Sequence, residues 1–530
     1  MTKRTVISNA LIIDGDGGEP YAGSLAFADG MITAVGDVAA TESDEVVDAG
    51  GHALSPGFID LHTHSDLQIL ANPDHEARIT QGITTELLGQ DGLSYAPVDD
   101  VTLPRLRERI RGWNDDPDGF DWNWRSVDEY LARLEEGIAC NAAYLIPHGN
   151  LRELVMGSAE RSATDAEVAA MGELLRLGMA AGAYGMSDGL TYVPAMFAST
   201  DELIMLCKVV AEYDGLYVPH HRNYGSDALG GYGECFDIAR ASGVRLHLAH
   251  AHLSYPPNEH RLPELITLFD TAEADGVDFS FDAYPYEAAM STLHAQFPGW
   301  TQTGTLAEQR ARFTDPDSLR RITEAMEVTG SDGHSGLPVD WSIIVIGGVP
   351  TPTWERVVGR NVAEVAVERG TTGTQTAIDI LLGTDFGASC LMFFGFEPNI
   401  RTLMTHPRHT VGSDGILVGS KPHPRSWGTF PRVLGHYVRD EGVLSLAEAV
   451  RHMTSAPADR LQLTDRGRLR VGHRADLVIF DADTVGSPAT YADPRQAAVG
   501  IDRVIINGET AVLDGLVTGS RSGQVLRHRP

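Results

Sequence analysis

Gly57-Phe58-Ile59-Asp60-Leu61-His62-Thr63-His64 reads as an apolar strand ending in two histidines on alternate residues. Side chains two apart share one face of a strand, so Asp60, His62 and His64 project together and one cation can reach both imidazoles. One such pair does not decide a fold, but three later segments repeat the pattern. Leu216-Tyr217-Val218-Pro219-His220, Val244-Arg245-Leu246-His247-Leu248-Ala249-His250 and Thr410-Val411-Gly412-Ser413-Asp414-Gly415 each begin apolar and end in His or Asp before a turn. A parallel β/α barrel gathers its catalytic groups at that end of its strands.

Eight strand candidates follow from the same pattern: 57–64, 84–89, 141–147, 183–187, 216–220, 245–250, 277–283 and 410–413. Ala-, Leu- and Glu-rich stretches at 165–181, 200–213 and 444–453 alternate with them as helices. Both ends of the chain instead show short apolar runs separated by Gly and Asp turns, such as Ala10-Leu11-Ile12-Ile13 and Val504-Ile505-Ile506-Asn507-Gly508. The expected fold class is therefore α/β. A (β/α)8 TIM-type barrel occupies 56–460, and a small β-sandwich is built from both termini, 1–55 and 461–530. More than a hundred residues separate the seventh and eighth strands, so an insertion at about 287–405 is expected to form a lid or small subdomain.

The 530 residues, 42% of them hydrophobic, supply core enough for two domains. With 41 basic and 73 acidic residues the formal charge is −32, which argues against nucleic acid and anionic membranes as partners. Cys140, Cys207, Cys235 and Cys390 form no Cys-x-x-Cys, so neither a disulfide framework nor a thiolate zinc site is indicated. No apolar run reaches ~18 residues, and the start lacks the apolar core of a secretory signal. A soluble cytoplasmic protein acting on a small molecule is the expectation; the oligomeric state is not legible.

The strand-tip histidines, Gly412-Ser413-Asp414-Gly415 and the split sandwich resemble the amidohydrolase superfamily. Gln81-Gly82-Ile83-Thr84-Thr85, Gly189-Leu190-Thr191-Tyr192, Tyr284-Pro285-Tyr286, His423-Pro424-Arg425 and Gly428-Thr429-Phe430-Pro431-Arg432 look like its N-acyl-D-amino-acid deacylase (D-aminoacylase) branch. The resemblance implies one or two divalent metal ions held by His62, His64, His220, His250 and Asp414, with Asp414 also carrying protons. Zinc is the expected ion, with manganese, cobalt or nickel as alternatives. It further implies that Arg222, Tyr192, His252, Tyr284 and Tyr286 bind the substrate. The implied reaction is hydrolysis of an N-acyl-D-amino acid to the D-amino acid and a carboxylate by metal-activated hydroxide, with Asp414 as general base and acid.

Two departures from the branch bear on that reading. Its Gly-Asn-Cys-Gly after the second strand, whose Cys is a metal ligand, here reads Gly89-Gln90-Asp91-Gly92. Asp91 then replaces the thiolate, a harder ligand that weakens the preference for zinc; Glu86 is a less well placed substitute. After the sixth strand, a His-His-Lys run becomes His250-Ala251-His252, which removes an ammonium expected near the substrate carboxylate. The only lysines are Lys3, Lys208 and Lys421, so the fourth strand also lacks the bridging lysine of a hydantoinase-type centre. A carbamate, lactam, cyclic imide or ester substrate is the alternative. A nucleobase-type deaminase is disfavoured because His220-His221-Arg222-Asn223-Tyr224-Gly225-Ser226 holds no carboxylate. A catalytically silent binding protein is disfavoured by the intact ligand positions.

Overall fold

The computed structural model describes residues 3–529. Eight parallel barrel strands lie in the expected order. They are Phe58–Asp60, Ile83–Leu88, Asn141–Tyr144 continuing as Ile146–Pro147, Gly185–Gly189, Leu216–His220, Arg245–Leu248, Phe279–Ala283 and His409–Val411. The third strand carries the ladder through its break, because Leu145 N donates to Leu88 O and Tyr184 N to Tyr144 O. A parallel bridge between Thr63 and Gly415 closes the ring. Ile59, Leu61, Leu87, Ala143, Val218 and Ala249 belong to one buried cluster among these strands.

The first strand is shorter than its sequence pattern, ending at Asp60 rather than running through the histidines. Asp60 accepts from the backbone N–H of His62 at 3.1 Å and of Ser413 at 3.0 Å, and pairs with the buried Arg78. Its carboxylate thus ties the first strand tip to the eighth instead of joining the histidines. Capping boxes begin helices Val127–Glu135 and Asp165–Ala180, where Ser126 and Thr164 accept from the N–H groups of Glu129 and Glu167.

Strands from both ends of the chain join one nine-stranded sheet, in which Ala53–Pro56 pairs antiparallel with Leu477–Phe480. The sheet buries Ile7, Ile12, Leu25, Leu54, Leu477 and Ile505 on one face. The last residues then leave it: Ala142 N donates to Gln524 O and Leu526 N to Ala142 O, so the tail lies along the third barrel strand. Between the seventh and eighth barrel strands, Ala288–Thr292, Ile344–Gly348 and Ser389–Phe393 form a separate three-stranded sheet. It has its own core, including Phe297, Phe313, Ile346 and Leu381. No helix among the described residues is long and apolar enough to cross a membrane.

Candidate metal centre

Four imidazoles and two carboxylates meet at the carboxyl ends of the barrel strands. Asp91 lies at their middle. Its Oδ1 is 3.5 Å from His62 Nε2, and its Oδ2 is 3.6 Å from His64 Nε2, 3.2 Å from His220 Nδ1 and 3.7 Å from His250 Nε2. Asp414 approaches from the eighth strand, its Oδ1 3.2 Å from His64 Nε2 and 3.8 Å from His62 Nε2. His62–His64–Asp91, Asp91–His220–His250 and His62–His250–Asp414 each offer three ligand atoms close enough for one ion.

Several features fit a cation. His62 Nε2 and Asp91 Oδ1 are buried and have no hydrogen-bond partner, an expensive arrangement unless another group satisfies them. His220 Nδ1 and His250 Nε2 lie 2.9 Å apart, so their lone pairs need a shared proton or cation between them. The opposite nitrogens are already occupied: His62 Nδ1 by Asp282 at 3.2 Å, His220 Nε2 by Thr191 at 2.7 Å and His250 Nδ1 by Tyr224 at 3.1 Å. Such partners fix the ring orientation and leave the inward nitrogen free to ligate.

The backbone supports this crowding. Asp91 (φ 54°), His250 (φ 30°) and Asp414 (φ 46°) all sit at left-handed φ, which non-glycine residues rarely adopt. Gly189, at the tip of the fourth strand, lets the Asp91 loop come close: a Cβ there would stand 2.1 Å from the Asp91 carbonyl oxygen.

Electrostatics hold both acids ionised. Burial opposes ionisation of Asp91, but the neighbouring His220 and His250 outweigh it and hold the carboxyl well below its usual range. Asp414 is likewise held low: burial works against the charge, and Arg425, 2.9 Å away, with the hydrogen bond to His64, more than offsets it. Burial pushes His252 down to about 3, so this imidazole is neutral at ordinary pH.

Above the cluster opens a cavity with about 670 Å³ of empty space, its open mouth included. His64, Asp91, His220, His250 and Asp414 line one end of it. Tyr192, His252 and Tyr284 also line it. Tyr192 shares a hydrogen bond with Ser291 at 3.2 Å, and His252 packs on Tyr284 with ring centroids 4.3 Å apart.

Two expected substrate contacts lie elsewhere. Arg222 is not on the cavity wall, because Glu234 on the following helix takes its Nε at 2.9 Å and the carbonyls of Met196 and Ala198 take the rest. Tyr286 turns its ring to His423 and Arg432, also off the wall. Glu86 is likewise remote, engaged by His75 at 2.7 Å and Arg78 at 2.6 Å.

Arg425 is the group that the motif reading left without a role. It is fully buried, stands over the Tyr284 ring at 4.4 Å, and its Nε and Nη1 have no hydrogen-bond partner. Trp113 and Tyr224 on the wall were also unassigned. His423-Pro424-Arg425 was the available signal, but only the fold shows that it reaches Asp414.

A (β/α)8 barrel with four histidines and two aspartates converging at its strand tips defines a metal-dependent hydrolase. The model of the Amidohydrolase family matches residues 45–512, and the chain belongs to that family, within its D-aminoacylase branch. D-aminoacylase of Alcaligenes xylosoxydans xylosoxydans is 33% identical over 522 residues, 98% of this chain and 97% of the relative. N-acyl-D-aspartate deacylase of the same organism is 35% identical over 524 residues, 98% of this chain and 94% of that one. A crystal structure of D-aminoacylase superposes with TM-score 0.82 at 32% identity, covering 99% of each chain. N-acyl-D-glutamate deacylase from Bordetella bronchiseptica, complexed with zinc and a phosphonate inhibitor, superposes with TM-score 0.83 at 31% identity, covering 99% of this chain and all of that one (100%). The protein is thus an amidohydrolase, a D-aminoacylase-like enzyme whose buried His/Asp cluster fits a divalent metal.

Proposed function

We propose that this enzyme hydrolyses N-acyl-D-amino acids to the D-amino acid and a carboxylate, with zinc as its metal. The observation that carries the reading is the Asp91 carboxylate facing four imidazoles beside Asp414 at the end of a cavity. His62, His64, Asp91, His220, His250 and Asp414 would hold one or two ions. A bound divalent cation supplies Lewis acidity and lowers the pKa of water to ~7.

The chain's own groups do the rest. Asp414 is ionised and reaches the cavity, so it accepts the proton of the attacking water and returns it to the departing nitrogen, which leaves an amide only when protonated. Arg425 does not itself line the cavity but is held against Asp414 and Tyr284, which do, and its two unpartnered N–H-bearing nitrogens would take the substrate carboxylate there. Tyr192 and His252 orient the amide, and Tyr284 supports the Arg425 plane. All four cysteines are free and buried, which suits a reducing cytoplasm.

The test is elemental analysis of the purified protein followed by amine release from paired N-acyl-D- and N-acyl-L-amino acids. Zinc at one or two equivalents with release from the D-series is the expected result. A metal-replete sample that releases amine from neither series overturns the deacylase reading.

A further inference from the structure

We infer that Ser187, on the fourth barrel strand, is a positioning residue for the metal centre, its hydroxyl bracketing the turn that presents Asp91. The inference rests on the reading of Asp91 as a metal ligand.

The fourth strand, Gly185–Gly189, ends beside the cluster but supplies none of its six ligand groups. Successive side chains of a strand point to opposite faces. Met186 belongs to the core that includes Leu175 and Leu206 of the flanking helices, and Asp188 meets His148 at 3.0 Å and Tyr217 at 3.2 Å. Ser187 therefore points the other way, into the barrel, where it is fully buried. There its Oγ donates to Gly89 O and accepts from the Gly92 N–H at 3.1 Å. One hydroxyl thus closes both ends of the turn Gly89-Gln90-Asp91-Gly92.

That turn does not hold its own shape. Gly89 (φ 82°), Asp91 (φ 54°) and Gly92 (φ 68°) are all left-handed, and at Asp91 the side chain makes this conformation costly, so it persists only where surrounding contacts fix it. Asp66 Oδ1 accepts from the Gly89 N–H at 2.8 Å, and Gln90 Nε2 donates to Leu61 O at 2.7 Å, just before His62. Both contacts hold the turn ahead of Asp91. Of the three, only Ser187 also reaches Gly92, on the far side. The Asp91 carboxylate has to meet four imidazoles at 3.2 to 3.7 Å, and a site of this kind tolerates displacements of only about 0.5 Å. Without the hydroxyl, Gly89 O and Gly92 N–H are left buried and unpaired, which favours a relaxed turn and withdraws Asp91.

The test is Ser187→Ala, which removes a single oxygen atom, made both in the parent and in Asp91→Ala. Competition with a chelator of known affinity measures zinc binding in all four proteins. In the parent the substitution is expected to lower affinity at least about tenfold. In Asp91→Ala it is expected to change affinity less than about twofold, because the group that Ser187 positions is already gone. Hydrogen exchange of the metal-free protein is expected to quicken about tenfold in residues 89–93, with the other barrel strands unchanged. Affinity within twofold of the parent, or an equal fall in both backgrounds, overturns the inference and leaves Asp91 as a ligand. If Asp91→Ala itself keeps full affinity, the reading of Asp91 fails and this inference with it.

Discussion

Asp91 Oδ1 faces His62 Nε2 at 3.5 Å, and neither atom has a hydrogen-bond partner within the protein. The other oxygen of the same carboxylate faces three more imidazoles, so Asp91 faces all four histidines of the cluster.

Removing that carboxylate leaves four histidines without a common anionic partner. Asp91→Ala is expected to lose at least half its bound metal and to release amine at least about 100-fold more slowly, beyond what loss of an outer partner costs. Asp91→Cys restores an anionic ligand of softer character, and is expected to keep its metal while favouring zinc over manganese more than the parent does. Elemental analysis and rate read both outcomes; an alanine variant with full metal and full rate would remove Asp91 from the centre.

A second carboxylate acts through the ligands. Asp282, fully buried, accepts from His62 Nδ1 at 3.2 Å, from His247 Nε2 at 3.1 Å and from the His250 backbone N–H at 3.0 Å. It therefore sets the orientation of one ligand ring and the backbone of another. Asp282→Asn keeps the shape but gives up the charge, and metal affinity is expected to fall about 10- to 100-fold. Titration with a chelator of known affinity measures this directly. Unchanged affinity would reduce Asp282 to a packing role.

Much of this site was readable from residue order. The four histidines, Asp91 and Asp414 stand at strand ends, and parallel strands of a barrel deliver their ends to one place, so chain position carried over into proximity. The split sandwich was readable because alternation at both ends of the chain had no partner nearer than the other end. Arg222 shows where such reasoning stops. It follows a strand-tip histidine, but Glu234, one helix later, pulls it away, and that pairing depends on helix phase rather than on strand position. Arg425 shows the converse: it belongs to the helix after the eighth strand, outside any strand pattern, and reaches Asp414 only through the tertiary fold. Nor did the strand pattern describe the distal wall, because the insertion builds it.

Arg425 also separates binding from chemistry. A charge-assisted hydrogen bond to a carboxylate contributes about 1.5–3 kcal/mol. Arg425→Met is therefore expected to raise KM at least about tenfold for an N-acyl amino acid. The same substitution should leave the corresponding N-acyl amine, which has no carboxylate to lose, within about twofold in KM. Steady-state kinetics on the matched pair is the check, and an equal rise for both compounds would place Arg425 on Asp414 alone.

Away from the metal centre, His148 makes stability depend on pH. It is fully buried, with Nδ1 3.0 Å from Asp188 Oδ1 and Nε2 3.0 Å from Glu202 Oε1, while Arg152 holds the other side of Glu202. Burial favours the neutral ring, but the charges of Asp188 and Glu202 outweigh it and push the imidazole up to about 9. In the unfolded chain it titrates near 6.5. The folded state thus binds the proton more tightly, so the contribution is complete below about pH 6.5 and is lost as pH rises through about 9. At 1.36 kcal/mol per unit this amounts to something on the order of 3 kcal/mol. Urea midpoints measured between pH 6 and 10 are expected to fall across this window, and His148→Gln, which keeps a donor but cannot titrate, is expected to flatten the fall. The Glu202 side of the network runs the other way: His148 and Arg152 bring its carboxyl down to about 2 against the effect of burial, so its share is present above about pH 4.5 and disappears as pH drops towards 2. If the parent and the glutamine variant lose stability equally between pH 6.5 and 9, the proton is not held where this geometry puts it.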